Sequence, residues 1–155
     1  MSTTKKNTTT KKSLTSDKLI ALYMDYVLEN EKTPKSVYKF CKDNKLKEDE
    51  FYNFFGSFES LQKGIWERFF EHTLKVLETS PEYQDFTNRE KMLTFYYTFF
   101  EILSANRSFV LFSLRQYESK LKNLEQLKGL RKQVKYFAQE LIKEENETKN
   151  LKVLK

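Results

Sequence analysis

Residues 36–61 read SVYKFCKDNKLKEDEFYNFFGSFESL, and this stretch decides the fold. A helix is expected to begin just before it, at Thr33-Pro34. Thr is a good N-cap, and Pro suits the first helical position because the N–H it lacks is not needed there. Val37, Phe40 and Cys41 then share one face at i, i+3 and i+4. Asp43-Asn44-Lys45 reads as a turn, with Asn44 the residue that tolerates a left-handed backbone. A short helix is expected from Glu48 to Phe55, packed through Leu46, Phe51, Tyr52 and Phe55. Gly56 ends it, and Ser57 caps a longer helix that runs to Thr79 and is closed by Pro81. Leu61, Ile65, Phe69, Leu74 and Leu77 form the inner stripe of that helix.

The reading extends outward in both directions. Upstream, Leu19, Ile20, Leu22, Tyr23, Tyr26 and Val27 recur at helical spacing, so a first helix is expected over 17–29, capped by Ser16 or Asp17. Residues 1–16 are low-complexity and basic, without apolar anchors, and read as a disordered tail or an arm that touches DNA. They hold no apolar core of the kind a signal peptide needs. Downstream, residues 89–104 are aromatic around most of a helical circumference, so that helix is expected to be buried on several sides. Another helix is expected over 106–117. A long one is expected over 118–145, where Leu124, Leu127, Leu130, Val134, Phe137 and Leu141 form a near-heptad seam for a partner helix. Residues 144–155 are expected to fray.

The totals agree with an all-α chain. Three glycines and two prolines in 155 residues leave too few tight turns for an all-β fold. One cysteine, Cys41, permits no internal disulfide and points to a reducing, cytoplasmic setting. No apolar run is long enough to span a membrane. The net charge of +6 is unevenly spread: residues 1–16 carry +4, 17–80 carry −2 and 81–155 carry +4. A lone His72 makes no metal site, and Gly56, Gly64 and Gly129 make no phosphate loop. No catalytic constellation, cofactor motif or metal-ligand set is read, so an enzyme is not expected.

Two short helices joined by a three- or four-residue turn form a helix-turn-helix. The detail after the turn is more specific. It resembles the bacterial TetR family of regulators, with their Tyr-x-His-Phe end of the recognition helix followed by Ser-Lys-Glu and a Leu. Tyr52, Phe55, Ser57, Glu59 and Leu61 stand at matching positions. Lys45 stands where the family turn has Gly, and Phe58 where a Lys commonly meets the DNA backbone. Lys47, Glu48, Asp49 and Glu50 replace the small polar residues that open the recognition helix. The resemblance implies a three-helix helix-turn-helix domain at 17–62 and a ligand-binding and dimerisation bundle at 63–155, with helix four (58–79) joining them.

The function this implies is a bacterial transcriptional regulator, a homodimer that binds DNA and senses an apolar small molecule or lipid. Lys35, Lys39, Lys45, Lys47, Tyr52 and Asn53 are the expected DNA contacts. Phe95, Tyr96, Phe99, Phe100, Phe109 and Phe112 are the expected ligand pocket. The carboxylates at 48–50 oppose DNA phosphates in a major-groove dock. They therefore support a second reading: a TetR-fold protein that has lost DNA binding and carries a lipid or isoprenoid, as the ubiquinone-biosynthesis accessory proteins of that fold do. A third reading is a helical adaptor that holds a partner through 118–145.

Overall fold

A computed structural model describes residues 13–154, and among these every regular element is a helix. The helices are α1 (Ser16–Asn30), α2 (Val37–Asp43), α3 (Glu48–Tyr52), α4 (Phe58–Thr79), α5 (Asn88–Ala105), α6 (Arg107–Arg115), α7 (Lys120–Glu125) and α8 (Lys128–Val153), with a 3₁₀ turn at Pro81–Asp85 between α4 and α5. The expected tail at 1–16 lies almost wholly outside the described residues.

The helix starts follow side-chain chemistry. Thr15, rather than Ser16 or Asp17, caps α1, its hydroxyl accepting from the Lys18 N–H at 3.2 Å. Ser36, rather than Thr33, caps α2 and accepts from the Lys39 N–H at 3.1 Å. Thr33-Pro34 therefore lies in the connection before α2, with Pro34 buried there instead of opening the helix. Ser57 caps α4 as expected. Lys45, and not Asn44, takes the left-handed backbone of the α2–α3 turn, at φ 56°. Asn44 instead donates its side-chain amide to the Phe40 carbonyl at 2.8 Å.

Helix α4 is the axis of the molecule. Its first turns pack on α1–α3, and its later turns on α5 and α8. Around its start, Phe58 stacks on Tyr23 at 5.6 Å and meets Phe40 and Phe51 edge-on at 5.7 and 5.5 Å. Such edge and stacked geometries suit the ring quadrupoles and add to area burial. Further along, Phe70, Phe95 and Phe137 join α4, α5 and α8, with Phe95 and Phe137 centroids 5.0 Å apart.

Two expectations for the second half change. Helix α5 is not buried on several sides: Phe95 and Phe99 face inward, while Leu93, Tyr96, Tyr97 and Phe100 are exposed. Among the described residues only α4, α6 and α8 contact it substantially, and none covers the opposite face. The single helix expected over 118–145 is broken at Gln126-Leu127. There Gln126 turns its amide into the core, donating to the carbonyls of Ser113 and Asn123 at 2.8 Å each and accepting from the Trp66 indole N–H at 3.1 Å. Those three bonds satisfy a buried amide that a straight helix would have aimed elsewhere. Beyond the break α8 continues through the segment expected to fray, as far as Val153.

Candidate DNA-reading face and C-terminal ligand groove

The α2–turn–α3 unit carries its cations outward. Lys35, Lys45 and Lys47 are exposed, and Lys39 is exposed but held 3.1 Å from Asp43. Tyr52 and Asn53 project at the end of α3, Tyr52 with its ring edge-on to buried Phe51 at 5.5 Å. Tyr38 and Lys42 are exposed on α2 of the same unit. The structure thus leaves all six expected DNA contacts accessible on one short segment of chain.

The three carboxylates that open α3 do different things. Glu50 reaches back to accept from the Lys47 backbone N–H at 2.8 Å, and Asp49 accepts from the Glu50 N–H at 3.1 Å. Carboxylates here satisfy N–H groups that lack helical partners and favour the positive end of the helix. Glu50 is half-buried in this role, whereas Glu48 and Asp49 remain exposed. Phe58, at the position of the resemblance's backbone-contacting Lys, is half-buried and packs against the core of the three-helix unit. Cys41 is buried too, and burial pushes its thiol above the ordinary value, which keeps it protonated.

The six residues expected to line a pocket do not surround one cavity. Phe95 and Phe99 stack at 5.8 Å in the core, and Phe109 packs edge-on to Phe69 at 6.5 Å. Tyr96 and Phe100 lie on the surface, Phe100 at 61 % exposure. Phe112 borders a small hollow of about 400 Å³ that α6 shares with the α1–α2 connection. The larger cavity, about 960 Å³, is a half-open groove between α7 and α8. Leu124, Leu127, Leu130 and Val134 form its floor. The sequence presents these residues as part of a seam; the break at Gln126 turns them into the floor of a groove.

A buried polar link that the sequence did not reveal ties the two halves together. Gln62 on α4 donates to the Tyr23 hydroxyl on α1 at 2.7 Å. Gln62 and Gln116, just after α6, exchange two amide hydrogen bonds of 3.0 Å each. Next along the chain, Tyr117 exchanges backbone hydrogen bonds of 2.9 and 2.8 Å with the Asn123 side chain on α7. Burial pushes the Tyr23 hydroxyl up to about 12, the Gln62 bond opposing the shift, so it stays protonated. Gln62 falls on the apolar side of α4, and a polar residue at a core position was the one available signal.

Comparison with known proteins bears on the second half. Residues 91–155 match the family model of the tetracyclin repressor-like C-terminal domain. The match takes in most of α5 and all of α6, α7 and α8, including the groove. The all-α architecture is consistent with a TetR-like fold. No curated protein and no solved structure matches the chain. Among the described residues no group of His, Cys, Asp and Glu is placed to hold a metal ion, and no helix is long and apolar enough to cross a membrane.

Proposed function

We propose that the chain is a TetR-type regulator that binds DNA as a homodimer through α2 and α3 and takes an apolar effector in its C-terminal half. The observation that carries this reading is the exposure of Lys35, Lys39, Lys45, Lys47, Tyr52 and Asn53 on the short α2–turn–α3 segment, which α4 joins to a half that matches the family model. The lysines supply phosphate contacts, while Tyr52 and Asn53 stand where a base edge or sugar is reached. An effector would shift the balance between two arrangements of the DNA-reading unit, in proportion to its differential affinity for them.

The reading is tested by binding the purified chain to DNA from its own upstream region beside random DNA, at several salt concentrations. Tight, sequence-selective binding with a steep salt slope is expected. Weak binding that is equal for both DNAs and disappears on deleting residues 1–16 would refute it. A second reading, a lipid or isoprenoid carrier without DNA binding, is favoured by exposed Glu48 and Asp49 at the start of α3 and by Phe58 in place of a cation. A lipid that co-purifies with a chain lacking DNA affinity would support that alternative.

A further inference from the structure

The α7–α8 groove combines an aliphatic floor with a cationic rim. Its floor is aliphatic, from Leu124, Leu127, Leu130 and Val134, with Leu121 standing 82 % exposed at one end. Its rim is cationic: Lys122, Lys128, Arg131 and Lys135 face a single acid, Glu125. Lys128 is paired with Glu125 at 3.3 Å, and Lys122 lies 4.3 Å from the Tyr117 ring centre. Among the described residues, Arg131 and Lys135 have no ion-pair partner.

The groove is also preformed. Helix α7 has six residues, too few to hold itself in place, yet Asn123 and Gln126 pin it through four hydrogen bonds to Trp66, Ser113 and Tyr117. A cavity of about 960 Å³ stands at the upper end of the range for small-molecule sites.

We infer that this groove binds a free long-chain fatty carboxylate, the alkyl chain along the leucine floor and the carboxylate against Arg131 and Lys135. A planar guanidinium matches a carboxylate with two parallel hydrogen bonds, and a hydrated lysine adds charge beside it. The same rim disfavours a second copy of this groove, because a two-fold contact would face like charges across an apolar seam. It also disfavours nucleic acid, which has no use for an open aliphatic floor. Ligand binding here rests on the reading above only in that the C-terminal half takes a ligand; it does not require α2 and α3 to bind DNA.

The test is calorimetric titration of the full chain, without DNA, with tetradecanoate below its micelle concentration. Its methyl ester and a trimethylammonium of equal chain length run alongside. Tetradecanoate is expected to bind at least tenfold more tightly than either, and the double variant Arg131→Glu with Lys135→Glu to lose that preference. Leu124→Glu, at a half-exposed position, is expected to weaken the ester and the carboxylate alike. Equal binding of all three probes, or tetradecanoate binding unchanged in these variants, would overturn the assignment. So would binding to anionic phospholipid vesicles with none to the monomer. So would a dimer seen by sedimentation that Leu124→Glu dissociates, because the groove would then be an interface. Failure of the DNA experiment with success of this one would leave the site standing and remove the regulator.

Discussion

Replacing Gln62 with Met removes the buried link between the halves while keeping nearly the same volume. The Tyr23 hydroxyl, fully buried, is left without its partner. An orphaned buried hydroxyl costs about 1–3 kcal/mol. Gln116 loses both amide bonds but is only half-buried and can turn to water, adding less than about 1 kcal/mol. The sum is about 1–4 kcal/mol, which for a domain of this size lowers Tm by roughly 2–16 °C. Tyr23→Phe alone should cost about 1 kcal/mol, because Gln62 keeps its pair with Gln116. In the double variant the orphan is gone. Its cost should therefore fall short of the summed single costs by about 1 kcal/mol or more. Urea unfolding followed by circular dichroism measures all four proteins, with an unchanged slope required for the comparison. Strict additivity, within about 0.5 kcal/mol, would refute the claim that the two side chains act as one buried unit.

Further outcomes follow from other features. Tyr23 is held to about 12. It keeps its proton in the folded state while the unfolded chain loses it near pH 10, so stability should fall as pH rises from about 10 to 12. Urea midpoints across that range should decline less steeply in Tyr23→Phe. Phe58→Lys, which restores the cation of the resemblance, should cost about 3 kcal/mol or more by emptying the ring cluster of Tyr23, Phe40 and Phe51, readable as a Tm drop of roughly 10 °C. Lys45→Gly should raise stability by about 1 kcal/mol, since φ is 56° there, and on the proposed reading should reduce the salt slope of DNA binding by about 0.9. Gly64→Ala should destabilise, because a Cβ would stand 2.9 Å from the Phe55 ring, whereas at Gly129 the obstacle is the movable end of the Glu67 side chain and Ala should be tolerated. Thermal melts of the two alanine variants compare them directly.

The parts of the fold that the sequence made legible are those set by local chemistry. The Ser57 cap, the inner stripe of α4 and the break between α5 and α6 all follow from side-chain type and spacing. The start of α2 was misplaced at Thr33-Pro34, because Ser36 three residues on is as good a cap. Ser36 is the one used, and Pro34 is buried in the lead-in. The exposure of Tyr96, Tyr97 and Phe100 was not legible, because aromatic content sets how much surface seeks cover and not whether another helix is there. The α7–α8 break has no Pro or Gly at its corner. It depends on Trp66, Ser113 and Asn123 meeting Gln126, contacts spanning up to 60 residues that no local pattern encodes. The exposure of the lysines on α2 and its flanking turns follows from local sequence, whereas the groove could not be read, because it exists only after the break.

The link through Tyr23, Gln62 and Gln116 contains no charged group at neutral pH. Counterions screen charges and leave buried neutral amides nearly untouched. A phosphate-reading face of lysines behaves oppositely and weakens with each increase in salt. On the proposed reading the molecule therefore divides its sensitivities by position: ambient ions tune how firmly the exposed lysines hold DNA phosphate, while the connection between α1, α4 and the end of α6 keeps its strength through the same change in medium.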